Sequence, residues 1–258
     1  MTLVIAHRGN CSAAPENTIA SFESALAHGA TMVECDVQMT ADGHIVVIHD
    51  PTLDRTSEST GDVRTLPLAQ VQAADVSCKK LFGETFSPQR VLTLGELLAL
   101  LKGRAKVMLE IKKESSLEDS DVFERRIAAE IVRSGVRASP DLASEIAVLS
   151  FSTRALERMA ALLPEARRGH LFYREPEPAM FEAALKVKAS FIMPEKGHLS
   201  AGLIARAREK GLGVATWVCD DPAEFRDLSQ LGLLGIGTNR PVEMIEAAAS
   251  IGAGASRP

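Results

Sequence analysis

Val33-Glu-Cys-Asp-Val-Gln-Met-Thr-Ala-Asp-Gly-His-Ile-Val-Val-Ile-His49-Asp50 consists of two alternating halves around an Asp-Gly pair. Val33, Cys35 and Val37 alternate with Glu34, Asp36 and Gln38, the period of a strand with two unlike faces. Asp42-Gly43 is a strong two-residue hairpin signal, and His44 to Ile48 reads as the returning strand. With Asp42 and Gly43 as the loop, Ala41 opposes His44 and Asp36 opposes His49. Directly opposed residues hold their Cβ atoms roughly 4.5–5.5 Å apart, so Glu34, Asp36 and His49 are expected on one face. A solvated sheet face is the plain explanation for such a set. The apolar opposite face and apolar flanks argue instead for buried chemistry. Carboxylates spaced by two offer hard oxygen ligands to a divalent cation such as magnesium or calcium. A histidine beside them suits proton transfer.

Outward from this hairpin, the chain reads as strands alternating with helices. Leu3-Val-Ile-Ala6 is a short buried strand that ends in His7-Arg8-Gly9, and Thr18 caps a helix over Ile19–His28. Residues 51–91 are polar and lack a clear period, and their length suggests a small inserted subdomain or lid. A helix is expected over Leu92–Leu101, with Thr93 and Glu96 as a capping box. In the next strand, Lys106–Lys112, Val107, Leu109 and Ile111 share one face and Met108, Glu110 and Lys112 the other. Further strands start near 146, 168, 190, 214 and 235, each followed by a helix. Eight strand–helix units predict an α/β fold, a (β/α)8 TIM barrel with a small insertion after the strand-2 hairpin. The domain is expected to span 1–250, with 251–258 a disordered tail. An open doubly wound sheet is the runner-up, but Gly235-Ile-Gly237 lacks the third glycine of a dinucleotide loop.

Composition narrows the function. A 258-residue chain with 46% hydrophobic residues has material for one large core. Its net charge of −5 speaks against non-specific nucleic-acid binding and against a basic membrane patch. Cys11, Cys35, Cys78 and Cys219 form no CxxC pair, which fits a reducing compartment. No apolar run would span a bilayer, no signal-type start is present, and no long basic amphipathic helix is evident. A cytoplasmic enzyme acting on small, water-soluble molecules without stable membrane insertion is the expectation. A homo-oligomer is compatible with the sequence.

In barrels of this kind the reactive groups stand at the C-terminal ends of the strands. The first strand places His7 and Arg8 there, the second Glu34 and Asp36, the third Glu110 and Lys112, and the seventh Trp217. Each alone has an ordinary structural explanation: a bonded core histidine, an internal ion pair, a packed tryptophan. Together they are an odd filling for a barrel, whose interior is normally branched and apolar. Ser150 and Ser152 end a strand without a base, and Cys35 points to the other face, so no covalent nucleophile is apparent.

His7-Arg-Gly9, Pro15-Glu-Asn-Thr18, Glu34-x-Asp36, Asp42-Gly43, His49-Asp50, Leu53-x-Arg55-Thr56 and Leu109-Glu-Ile-Lys112 resemble the glycerophosphodiester phosphodiesterase family. Trp217 and Thr238-Asn-Arg-Pro241 resemble its C-terminal signature, with Asn239 where the family usually has aspartate. The resemblance spans nearly the whole chain in order. It implies a distorted (β/α)8 barrel that hydrolyses glycerophosphodiesters to glycerol 3-phosphate and an alcohol. It also implies that His7 and His49 are the general acid and base, and that Glu34, Asp36 and Glu110 bind a divalent metal, Mg2+ or Ca2+. Arg8 and Lys112 would hold the phosphate, and Trp217 would pack on the glycerol carbons. With a tethered glycerol hydroxyl as nucleophile, the route would pass through a cyclic phosphate. Two alternatives carry contrary marks. Another metal-dependent barrel hydrolase, such as an amidohydrolase, would show His-x-His on the first strand. A non-catalytic phosphodiester-binding barrel would have lost a histidine or a carboxylate.

Overall fold

The computed structural model of the chain describes residues 2–115, 120–139, 144–174 and 178–254. It opens with β1 (Leu3–His7), α1 (Ile19–Ala27) and β2 (Met32–Met39), on which β3 (Ile45–Val47) returns antiparallel. α2 (Leu68–Ala73) and α3 (Lys79–Phe82) follow, then β4 (Leu92–Thr93) and α4 (Leu94–Leu101). Six further strand–helix pairs complete the chain: β5 (Lys106–Ile111), α5 (Val122–Ser134), β6 (Ile146–Ser150), α6 (Thr153–Leu162), β7 (Arg167–Phe172), α7 (Pro178–Lys186), β8 (Phe191–Pro194), α8 (Ala201–Glu209), β9 (Gly213–Thr216), α9 (Pro222–Ser229), β10 (Gly235–Thr238) and α10 (Pro241–Gly254).

β1, β2, β5, β6, β7, β8, β9 and β10 pair in parallel, and β1 bonds both β10 and β2, which closes the barrel. The period of two in each strand sorts its side chains into two layers. Ile5, Met32, Met108, Leu149, Leu171, Phe191 and Met193 fill the interior. Val33, Cys35, Val37, Val107, Leu109 and Ile111 pack outward against Phe22, Leu98 and Ile127 of the surrounding helices. Glu34 and Asp36 follow Met32 on the inward face, and Glu110 follows Met108, so the polar residues crown the apolar filling.

The barrel is distorted at β2. Its lower edge pairs with β1 (Ala6 with Val33, His7 with Glu34), and its upper edge pairs with β3 (Val37 with Val47). The strand therefore forks where β1 ends, and the wall of the barrel parts beside Glu34 and Asp36. The connection 51–91 has its own small core of Leu53, Val63, Val71, Val76 and Val91 against Val46 and Ile48.

Several expectations need correcting. The hairpin loop is three residues, 41–43, because Thr40 pairs with His44 through an N–H to carbonyl bond of 2.9 Å. Gly43 takes a left-handed φ of +83° as the third loop residue, a conformation that favours glycine. The register moves by one, so Asp36 accepts from Ile48 N–H at 3.0 Å and does not face His49 across the pair. Leu92–Thr93 is a strand, which lets β4 pair with β3 before the helix starts at Leu94. The insertion suggested at 51–91 does carry structure of its own: α2, α3 and a 3-10 turn at Val63–Thr65 lie there. The last helix runs past 250 to Gly254, and 255–258, the rest of the expected tail, lie outside the described residues.

The expected capping box of α4 is present: Thr93 Oγ1 accepts from Glu96 N–H, and Glu96 Oε2 accepts from Thr93 N–H at 2.8 Å. Arg90 also binds the Glu96 carboxylate at 2.6 Å. The Arg90 bond overcomes the opposing effect of partial burial, and with the Thr93 donors it brings the Glu96 carboxyl down from 4.5 to about 2. A carboxylate lowered on folding stabilises the fold above its unfolded pKa and loses that effect as pH falls through its folded one. At this exposed site the contribution is no more than about 1 kcal/mol. Urea midpoints measured from pH 5 down to 2 should therefore fall more steeply for the parent than for Glu96→Gln. Parallel curves would remove Glu96 from the acid sensitivity of the fold.

Candidate active site

Five strands build the crown. β1 delivers His7, and the turn after it is sharp, with Arg8 at φ +56° and Gly9 at +83°. A Cβ on Gly9 would lie 2.7 Å from the Ser21 backbone carbon, so only glycine lets the turn lie against α1. Pairing of His7 with Glu34, and of Asp36 with Glu110, sets these side chains next to one another. Lys112 stands one residue past β5. His49 follows β3 and is held through its backbone, since Gln38 Nε2 donates to its carbonyl at 2.9 Å and Ser115 Oγ donates to Gln38 Oε1 at 2.9 Å. The loop thus brings His49 beside Asp36 although the strand register does not. Trp217 follows β9, and its indole donates to Met193 O at 3.2 Å.

Glu34, Asp36 and Glu110 offer carboxylate oxygens that all lie within 4.8 Å of one another. Two cations are threaded among them. Lys112 Nζ is 2.8 Å from Asp36 Oδ1 and 2.7 Å from Glu110 Oε1, and Arg8 Nε is 3.2 Å from Asp36 Oδ2. Asn17 Nδ2 donates to the same Asp36 oxygen at 2.8 Å. Burial alone would raise Asp36, but Lys112 and Arg8 outweigh it and hold this carboxyl well below its usual range. Glu34 has the opposite balance. Burial, then Asp36 and Glu110, push it well up. Burial also brings Glu110 up to about 7, with Lys112 opposing. Two cations are therefore not enough to keep three crowded carboxylates ionised. Three hard carboxylate donors in excess of their cations fit a divalent cation of the magnesium or calcium type.

The two histidines stand in different settings. His7 Nδ1 is 2.7 Å from Asn239 Oδ1, and its Nε2 is 3.9 Å from Glu34 Oε2. Burial first, then Arg8, lowers its pKa to about 4, with Asp36 opposing. His49 Nδ1 lies 2.6 Å from Asp50 Oδ1. Burial lowers His49 too, while Asp36 and Asp50 pull the other way. Asp50 binds Arg55, Arg55 binds both oxygens of Glu16 at 2.7 Å, and Glu16 accepts from Arg8 at 3.0 Å. This chain of ion pairs ties the 51–91 segment to the crown.

Seven of the eight residues singled out in the sequence line one cavity of about 460 Å³; the eighth, Asp36, is fully buried and bonded to two of them, Arg8 and Lys112. The opposite wall is aromatic. Phe151 stacks on Tyr173 at 4.2 Å, and Trp217 meets both edge-on at 6.0 and 5.6 Å. Sequence reading missed Phe151 and Tyr173, as well as Glu16, Asn17, Gln38, Asp50, Arg55, Asp220 and Asn239 as partners of the site. Some of these stood inside quoted motifs, but no periodicity shows what a loop side chain will touch. Gly237 is now explained by packing, since a Cβ there would sit 3.3 Å from Trp217 Cβ.

The sequence pattern of the Glycerophosphoryl diester phosphodiesterase family matches residues 7–243. A glycerophosphodiester phosphodiesterase of Caldanaerobacter subterraneus subsp. tengcongensis is 31% identical over 244 residues, 95% of this chain and 96% of that protein. Among solved structures, an Oleispira antarctica phosphodiesterase in complex with the product sn-glycerol-3-phosphate superposes with a TM-score of 0.84 at 26% identity, covering 96% of this chain and 97% of that one. A glycerophosphodiester phosphodiesterase from Agrobacterium tumefaciens gives 0.78 at 30% identity, covering 96% and 100%.

Proposed function

This chain belongs to the glycerophosphoryl diester phosphodiesterase family, and on that premise we propose that its crown hydrolyses small glycerophosphodiesters to glycerol 3-phosphate and an alcohol. The observation that carries this reading is the meeting of two histidines, three carboxylates and two cations around one cavity with an aromatic wall. The product named in the Oleispira antarctica structure supports the same product here. Glu34, Asp36 and Glu110 would hold the divalent cation, magnesium or calcium. When bound, it supplies Lewis-acid stabilisation of charge on the phosphoryl oxygens. Arg8 and Lys112 add to that stabilisation and bind the phosphate. Trp217 offers its ring to the glycerol carbons. The cavity suits a polar diester of modest size, and among the described residues no helix is long and apolar enough to cross a membrane. Diacyl phospholipids in vesicles should therefore be poor substrates beside glycerophosphocholine.

The acid–base assignment follows from the partners of the histidines. His7 donates its Nδ1 proton to an amide oxygen, so Nε2 has a free lone pair, and burial with Arg8 beside it favours the neutral ring. His49 donates Nδ1 to the carboxylate of Asp50, a partner that favours its protonated form. His7 Nε2 takes the proton of the glycerol hydroxyl next to the phosphate ester as that oxygen attacks phosphorus. The bond to the departing alcohol breaks, and His49 gives that oxygen its proton. Water then opens the cyclic phosphate with the roles reversed, which returns both histidines to their starting state. His7→Ala and His49→Ala should each lower kcat by about 10²–10⁴ in a glycerophosphocholine release assay. The double variant should lose far less than the product, because groups that act as a unit are not additive. A folded single variant with parental kcat would remove that histidine from the proton transfers.

A further inference from the structure

Asn239 bonds His7 without itself lining the cavity, and its amide bonds in two directions. Its Oδ1 is 2.7 Å from His7 Nδ1 and 3.1 Å from Cys11 Sγ, and its Nδ2 donates to Asp220 Oδ2 at 2.8 Å. The other oxygen of Asp220 accepts from the Asn239 backbone N–H at 2.7 Å and from the Thr238 hydroxyl at 2.9 Å. Ser12 N–H donates to the Asn239 carbonyl at 3.1 Å, which fixes the backbone from the first loop. An ionised carboxylate only accepts, so Asp220 requires the NH2 of Asn239 on its side. The amide oxygen must then face His7. An oxygen opposite Nδ1 requires the ring proton on Nδ1, which leaves the lone pair on Nε2.

We propose that Asp220 is a positioning residue: through Asn239 it selects the tautomer of His7 in which Nε2 is free. The proposal rests on the reading above for its effect on turnover, but not for the tautomer itself. With Asp220→Asn, an NH2 at the former Oδ2 position would meet the NH2 of Asn239. Turning the Asn239 amide relieves that clash and presents a donor to His7 Nδ1, which moves the ring proton to Nε2. Adding Asn239→Asp restores every pair. The asparagine at 220 then accepts from Thr238 and the backbone N–H with its oxygen and donates with its NH2, while the aspartate at 239 accepts from both that NH2 and His7.

The test uses the full-length, metal-loaded chain with 15N-labelled histidine, the His7 signals being assigned by their loss in His7→Gln. Expected are an Nδ1–H pattern in the parent, an Nε2–H pattern in D220N, and a return to Nδ1–H in D220N/N239D. In glycerophosphocholine release, kcat should fall about 10²-fold in D220N with KM nearly unchanged, and recover in the double variant. A parental tautomer in folded D220N overturns the proposal, and so does a folded double variant that keeps the D220N tautomer. Should D220N not fold, the double variant is read directly against the parent: a folded double with an Nε2–H ring overturns it. A tautomer change with kcat unaltered supports the relay and instead overturns the proton-taking role of His7.

Discussion

A glycerophosphodiester whose hydroxyl next to the phosphate ester is replaced by hydrogen should bind this enzyme and turn over at least about 10³-fold more slowly. The estimate compares a tethered nucleophile, with an effective concentration of roughly 10⁵–10⁸ M, to water at tens of molar. Among the described residues, the cavity wall carries no serine, threonine or cysteine to substitute for the missing hydroxyl. Ser150 Oγ is engaged with the Ile111 carbonyl at 2.9 Å, and Ser152 caps α6. Cys35 is buried on the outward face of β2 among helix side chains. Cys11 has its thiol pushed up to about 12 by burial, then by Glu16, so it is no thiolate at neutral pH. The same experiment needs the cyclic glycerol phosphate as a second substrate, which should be opened at a rate no slower than the overall reaction. Hydrolysis of the deoxy compound at the natural rate would mean that water attacks directly.

Exhaustive chelation should take the activity below detection, and magnesium or calcium should restore it. The reason is electrostatic. Without a cation, Glu34 is pushed well up and Glu110 rises to about 7, so at neutral pH the site takes up protons to relieve its own repulsion. A divalent cation replaces those protons. Binding should therefore release protons into weakly buffered solution near pH 7 and raise the melting temperature by mass action. Both readouts are independent of turnover. Full activity after chelation, with no metal found by elemental analysis, would end the metal assignment.

The fold was legible because parallel barrels announce themselves by repetition. Alternating strand and helix units gave the eight barrel strands, and the one-strand inversion of polarity in Glu34-Cys-Asp36 and Glu110-Ile-Lys112 marked their inward faces. The hairpin register was not legible. Asp42-Gly43 suits both a two-residue loop and the last two positions of a three-residue loop, and the choice lies in contacts beyond it. Thr40 and His44 close the wider turn, and the Asp42 carboxylate accepts from Leu68 N–H at 3.0 Å, a partner 26 residues away. His49 was placed beside the acids for a wrong local reason, and the Gln38–Ser115 brace that does hold it joins segments 77 residues apart. Asn239 stood out only as a departure from the family's aspartate, since nothing in the sequence links it to residue 7.

The fork in β2 sets a hierarchy of stability. His49 follows a hairpin strand that bonds the ring only through the upper half of β2, with Val46 and Ile48 in the small core and Ile45 and Val47 in the main one, while His7, Glu34 and Glu110 belong to the closed ring. Amide protons of Ile45–Val47 should then exchange with solvent through a sub-global opening that leaves those of β1 and β5 protected. In that opened form the ring would still hold its carboxylates together, yet one of the two histidines would be out of reach. Hydrogen exchange at the hairpin would in that case measure how much of a folded sample is poised to react, a fraction that melting curves of the whole barrel would not report.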